Sequence, residues 1–170
     1  EMPKARRRAQ QKHKRPPKGF EIVQEKLELF ETQMREAERD NAETKRRTEA
    51  IWPIFRIHHH RSRYIYEMYY REKKISRPLY QWLLKNNFAD ANLIAKWKRQ
   101  GYEKLCCLQC IQASNHNFGG VCICRVPKQD FDDPDQVIEC NHCGCRGCAT
   151  SDLKSSNQIS SSSSSTNTPS

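Results

Sequence analysis

All nine cysteines of this 170-residue chain fall between Cys106 and Cys148, and residues 1–105 hold none. Their order is Cys106-Cys107-Leu-Gln-Cys110, then Cys122-Ile-Cys124, then Cys140-Asn-His-Cys143-Gly-Cys145-Arg-Gly-Cys148. Tetrahedral zinc takes thiolates in close pairs, because two sulfurs on one tight turn reach one ion without straining the backbone. Disulfides need an oxidising compartment, and Glu1-Met-Pro-Lys-Ala-Arg-Arg-Arg carries no apolar signal-peptide core. An odd cysteine count also leaves one thiol over. A thioredoxin-like pair would need a βαβ pattern, and haem attachment would need histidine where Ile111, Gly144 and Ala149 stand. Apolar residues are few between Cys106 and Cys148, so bound metal is expected to replace a hydrophobic core.

Ligand counting sets the stoichiometry. Two isolated four-cysteine sites leave one thiolate idle, and three isolated tetrahedral sites need about twelve ligands. The nine cysteines with His116 and His142 supply eleven. Cysteine alone closes the count for three zinc ions when three sulfurs each serve two ions, and the adjacent C-C and C-x-C spacings crowd sulfurs in a way that suits bridging. Three ions are therefore expected rather than two, held by Cys106, Cys107, Cys110, Cys122, Cys124, Cys140, Cys143, Cys145 and Cys148. His116 and His142 are read as loop residues beside the cluster. A site saturated with thiolates is a poor Lewis acid and leaves no position for water, so the expected role is structural.

The net charge of +10 is unevenly placed: residues 1–20 carry +7, 21–50 carry −3, 51–105 carry +8 and 106–148 carry −2. Three zinc ions with nine thiolates add about −3 more. An anionic zinc module is unlike a basic finger that reads DNA. Phosphate contacts would have to come from the first twenty residues and from 51–105, with Arg125, Lys128 and Arg146 adding isolated ones.

The expected fold is mostly α. A disordered basic arm (1–19) leads into an amphipathic helix (20–50) and a helical bundle (51–105). An irregular multinuclear zinc-cysteine module (106–148) and a disordered serine-rich tail (149–170) follow. Val23, Leu27, Phe30, Met34 and Ala37 share one face of the first helix, which either packs on its own domain or lies along a partner. Trp52-Pro53 breaks that helix, and Pro53 opens another in its first turn. A third helix is capped by Ser76 and ends near Asn86-Asn87, and a fourth runs from Asp90 to Gly101. Ile54, Ile65, Met68, Leu79, Trp82, Leu83, Leu93, Ile94 and Trp97 are the expected core. No run is apolar enough to cross a membrane.

Two stretches suit RNA. Arg6, Arg7, Arg8, Lys12, Lys14 and Arg15 form the basic arm. On the second helix Arg56, His59, Arg61, Arg63, Lys73 and Lys74 alternate with tyrosines, so rings and guanidinium planes could stack on bases while charges meet phosphates. The opposing interpretation is a solvated basic face with half-buried tyrosines. His58, His59 and His60 point about 100° apart on a helix and do not chelate one ion.

The segment from Leu93 to Cys110 (LIAKWKRQGYEKLCCLQC), Ile51-Trp-Pro-Ile-Phe-Arg-Ile-His-His upstream, and Ile138-Glu-Cys-Asn-His-Cys-Gly-Cys-Arg-Gly-Cys148 together closely resemble the G-ten family, also called bud site selection protein thirty-one. The resemblance spans roughly residues 2–148. It implies a non-enzymatic nuclear subunit of the spliceosome acting in pre-mRNA splicing. It further implies contact with small nuclear RNA, pre-mRNA, scaffold proteins and nineteen-complex-related proteins, an α-helical N-terminal part, and three zinc ions on the nine cysteines. Residues 149–170 fall outside it. Two rivals remain: a DNA-binding transcription co-regulator, and a RING-like ubiquitin ligase, which would need a histidine where Cys122-Ile-Cys124 stands. No catalytic set is evident.

Overall fold

The computed structural model describes residues 15–39, 47–117 and 120–151. Its helices are α1 (Glu21–Arg39), α2 (Arg47–Ala50), α3 (Trp52–Tyr70), α4 (Arg77–Lys85) and α5 (Ala91–Trp97). Short 3-10 turns follow at Gln109–Ile111, Ala113–Asn115, Ile123–Arg125 and Lys128–Asp130, and no strand occurs among the described residues. The protein is mostly helical, with an irregular cysteine-rich end, as the sequence predicts.

Each helix boundary has a local cause. Pro53 sits in the first turn of α3, where its missing N–H costs nothing. The Ser76 hydroxyl accepts from the Leu79 N–H at 3.4 Å and starts α4. An Asp90 carboxylate oxygen accepts from the N–H groups of Asn92 (2.9 Å) and Leu93 (3.0 Å), which starts α5. The fourth expected helix ends at Trp97, short of Gly101. Beyond it the chain tightens, with Arg99 N–H bonding Lys96 O and Tyr102 N–H bonding Arg99 O. The Trp97 indole can then donate to the Leu105 carbonyl at 2.8 Å. The expected single helix over 20–50 is described as α1 and α2, and residues 40–46 lie outside the described residues.

α1 lies on α3 and buries Val23, Leu27 and Phe30, so this helix packs on its own protein. Of the expected core, Ile65, Met68, Leu79, Leu83, Leu93, Ile94 and Trp97 are buried. Trp82 is half-buried in a ring cluster with Phe20 (5.5 Å) and Phe88 (5.7 Å). Ile54 is also half-buried, and Phe55 and His59, four residues apart on α3, border a cavity beside the cysteines. Helical side chains and cysteines form one contiguous buried cluster that passes through Leu105. The helices are thus the platform on which the cysteine module is built.

Candidate metal centre and nucleic-acid interface

All nine cysteines are free thiols, and only Cys106 and Cys145 are even partly exposed. Their sulfurs gather into three groups of four: Cys106, Cys124, Cys145 and Cys148; Cys106, Cys107, Cys110 and Cys143; Cys110, Cys122, Cys124 and Cys140. Each pair of groups shares one sulfur, from Cys106, Cys110 or Cys124, and every cysteine is used. Four thiolates around zinc at about 2.3 Å stand about 3.8 Å apart. The sulfur separations match that edge: 3.8 Å for Cys106–Cys124, 3.5 Å for Cys107–Cys110, 3.9 Å for Cys110–Cys143 and 3.7 Å for Cys124–Cys148. The closest, Cys122–Cys140, is 3.2 Å, still far outside S–S bonding.

Tight local turns deliver these sulfurs. Gly144 N–H bonds Cys140 O at 2.8 Å and Cys140 N–H bonds Cys145 O at 3.0 Å, which folds residues 140–145 back on themselves. Cys148 N–H reaches Cys124 O at 2.7 Å and joins the last pair to the C-x-C segment. One expectation from spacing fails locally: Cys140 and Cys143, a C-x2-C pair, belong to different groups. Cys143 instead lies 3.9 Å from Cys110 and joins Cys106, Cys107 and Cys110.

The thiols are strongly perturbed. The hydrogen bond to Cys107 raises the Cys106 thiol, and the same contact holds Cys107 below the ordinary value. Burial pushes Cys122 up. Sulfurs this close cannot all ionise unless a cation shares their charge, and thiophilic dications supply that.

The side chains of Trp52, Arg125 and Arg63 brace the module, the loop before it and α3. The Trp52 indole donates to Asn141 O at 3.2 Å. Arg125 donates to the carbonyls of Gly101 and Cys148, both at 2.6 Å, with its guanidinium over the Tyr102 ring at 5.1 Å. Arg63 donates to Glu103 O at 2.9 Å and Glu67 at 3.0 Å, with its guanidinium against the rings of both Tyr66 (5.0 Å) and Trp97 (5.1 Å). Sequence reasoning missed the roles of Trp52, Arg125 and Gly144; only the glycine between two cysteines offered a local signal.

The basic residues singled out for RNA divide by position. Arg6, Arg7, Arg8, Lys12 and Lys14 lie outside the described residues. Arg15, Arg56, Lys73 and Lys74 are exposed, with Lys74 paired to Glu72 at 2.6 Å. Arg56 borders a cavity of about 200 Å³ between α3 and the cysteines, with Phe55, His59 and Lys104. Arg63 is turned inward as described, and Arg61 is half-buried, donating to Asn87 O at 3.3 Å. The three histidines diverge. His58 meets Asp90 at 3.6 Å and lowers that carboxyl; His59 packs edge-on against Trp97 at 5.3 Å; His60 is exposed. Burial, followed by His60 and Arg63, lowers the His59 imidazole from its ordinary value.

Comparison with known proteins gives a consistent picture. The family description pre-mRNA-splicing factor BUD31 matches residues 2–150. The chain is 55% identical over 148 residues to a BUD31 homolog of Branchiostoma belcheri, covering 87% of this chain and 99% of the relative. It is 55% identical over 139 residues to pre-mRNA-splicing factor cwf14 of Schizosaccharomyces pombe, covering 82% and 94%. With pre-mRNA-splicing factor BUD31 of Saccharomyces cerevisiae it shares 46% over 160 residues, covering 89% and 100%.

Proposed function

Because this chain belongs to the BUD31 family of pre-mRNA-splicing factors, we propose that it is a nuclear, non-enzymatic subunit of the spliceosome whose cysteine module carries three zinc ions. The observation that carries the metal reading is the set of three four-sulfur groups linked through Cys106, Cys110 and Cys124. In this arrangement Cys124, Cys145, Cys148 and Cys106 hold one ion, Cys106, Cys107, Cys110 and Cys143 a second, and Cys110, Cys122, Cys124 and Cys140 the third. The zinc would supply cross-linking of the chain, with every coordination position filled by sulfur. The residues themselves fix the loops, and the ties through Trp52, Arg63 and Arg125 pass that rigidity to α3 and to the loop that follows α5.

RNA is the partner class best suited to the rest. The basic arm, Arg15, Arg56, Lys73 and Lys74 would meet phosphates, and the anionic module would face protein rather than duplex DNA. Among the basic residues of α3 the support is strongest for Arg56, which is exposed. Arg63 would act by holding the helical surface in shape. Spliceosomal scaffold proteins and nineteen-complex-related proteins are the partners proposed for the module, with small nuclear RNA and pre-mRNA proposed for the basic segments.

Ultraviolet crosslinking in cells, followed by sequencing of RNA bound to the full chain, tests this. Enrichment of spliceosomal small nuclear RNAs is expected. Random cellular RNA, or a preference for duplex DNA at fixed salt, would overturn it.

A further inference from the structure

The three sulfur groups leave two histidines unexplained. His116 and His142 are half-buried, their rings meet edge-on with centroids 5.1 Å apart, and each offers a donor atom close to Cys122. We infer that His116, His142 and the Cys122 thiolate form a fourth, weaker zinc site on the flank of the cluster. This rests on the three-ion reading above, since Cys122 would bridge the new ion to one already held.

The donor atoms of these three residues all lie within 4.8 Å of one another. His142 Nδ1 is 4.0 Å from Cys122 Sγ, close to the spacing of two ligands on one ion. Cys122 belongs to one sulfur group only, so its thiolate keeps a lone pair with which to bridge a second ion, the role that Cys106, Cys110 and Cys124 take between groups. Two imidazoles and a thiolate are borderline-soft donors that favour zinc over calcium or magnesium.

The surroundings also fit. His116 Nε2 lies 3.1 Å from the Cys110 carbonyl oxygen. A ligand imidazole commonly donates one N–H to a carbonyl in this way, which orients the ring and leaves its other nitrogen as the lone-pair donor. His116 also lines a cavity of about 340 Å³ that neither Cys122 nor His142 borders, and a water would take the fourth coordination position of the ion. The one guanidinium lining that cavity, from Arg125, is committed to two carbonyls. Charge supplies the driving force. A cluster of about −3 gains a dication through two neutral ligands, with no added anion. Three protein donors, two of them neutral, hold an ion less firmly than four thiolates, so this site fills last.

The test is native mass spectrometry of the full chain, titrated with zinc from stoichiometric amounts to excess. Three ions should survive buffer exchange, and a fourth should appear in excess zinc and leave first to a mild chelator. Cadmium substitution should give a fourth ¹¹³Cd resonance displaced from the all-sulfur signals. The double variant His116→Ala, His142→Ala should keep three ions and bind the fourth at least tenfold more weakly. The single variant His116→Gln, outside the cysteine turns, should weaken it in the same direction. A wild-type count that stays at three in excess zinc overturns the inference and assigns the histidines to N–H···S hydrogen bonds. A fourth ion that persists in the double variant overturns it equally, as does loss of one of the three tight ions there. A tight count other than three sinks the shared-thiolate reading instead, and the histidine-dependent step is scored separately.

Discussion

The indole of Trp52 occupies the space a side chain on Gly144 would need: a Cβ built there would stand 2.6 Å from the ring. Gly144 also has φ of +68°, a conformation only glycine adopts at little cost. The first turn of α3 therefore rests on the backbone between two proposed zinc ligands. Gly144→Ala should destabilise the zinc-loaded protein by about 2–4 kcal/mol, from left-handed strain and overpacking together. Thermal or denaturant unfolding measures this. Trp52→Ala in the same chain should recover part of the loss, and a strictly additive double variant would contradict the contact.

Cysteines shared between groups should differ from unshared ones. Cys124 is fully buried and belongs to two groups, while Cys145 is half-buried and belongs to one. Cys124→Ser should lower the bound zinc by more than one ion per chain, and Cys145→Ser by one at most. Metal content per folded chain, read by native mass spectrometry, checks the difference. Equal losses would argue for separate sites.

Arg63 and Arg56 stand only seven positions apart on α3, yet one is turned inward and the other is exposed. Arg63→Ala removes hydrogen bonds to Glu103 O and Glu67 and should cost about 2–3 kcal/mol of stability. Lysine should not restore it, having no planar fork to lie against Tyr66 and Trp97. Arg56→Ala should leave unfolding nearly unchanged and shallow the salt dependence of RNA binding by about one phosphate contact. Binding measured across a salt series separates the two roles.

His59 gives a pH dependence. Burial lowers its folded-state pKa, so the unfolded chain binds the proton more readily. Its contribution is intact above the unfolded value of about 6.5 and is lost as pH falls from there through the depressed folded value. His59→Phe keeps a ring against Trp97 without the proton site. The stability of the variant relative to the wild type should therefore rise as pH drops from 7 toward 5. A constant difference across that range would contradict a buried neutral imidazole.

Local signals were the most legible part of the chain. Ser76 and Asp90 announce α4 and α5 because a capping oxygen needs only its next three residues. For three zinc ions, the total of three shared sulfurs follows from counting ligands, but their identity does not. Spacing says which cysteines share a turn, yet Cys140 and Cys143 share one and belong to different groups. The inward turn of Arg63 was hidden for a related reason. Basic and aromatic residues interleaved on a helix read alike whether the rings stack on bases or on the guanidinium itself, and only the Glu103 carbonyl, 40 positions away, decides. Gly101 misled as a helix end because the chain leaves α5 early to bring Leu105 beneath Trp97.

The zinc count of the natively purified full chain, taken after buffer exchange with no metal added, bears on all of this. Three ions per chain, with chelation abolishing amide protection from Leu105 to Cys148, is the expected result. Two ions with one titratable free thiol, or protection that survives chelation, would contradict a sulfur-bridged metal body standing in for a hydrophobic core.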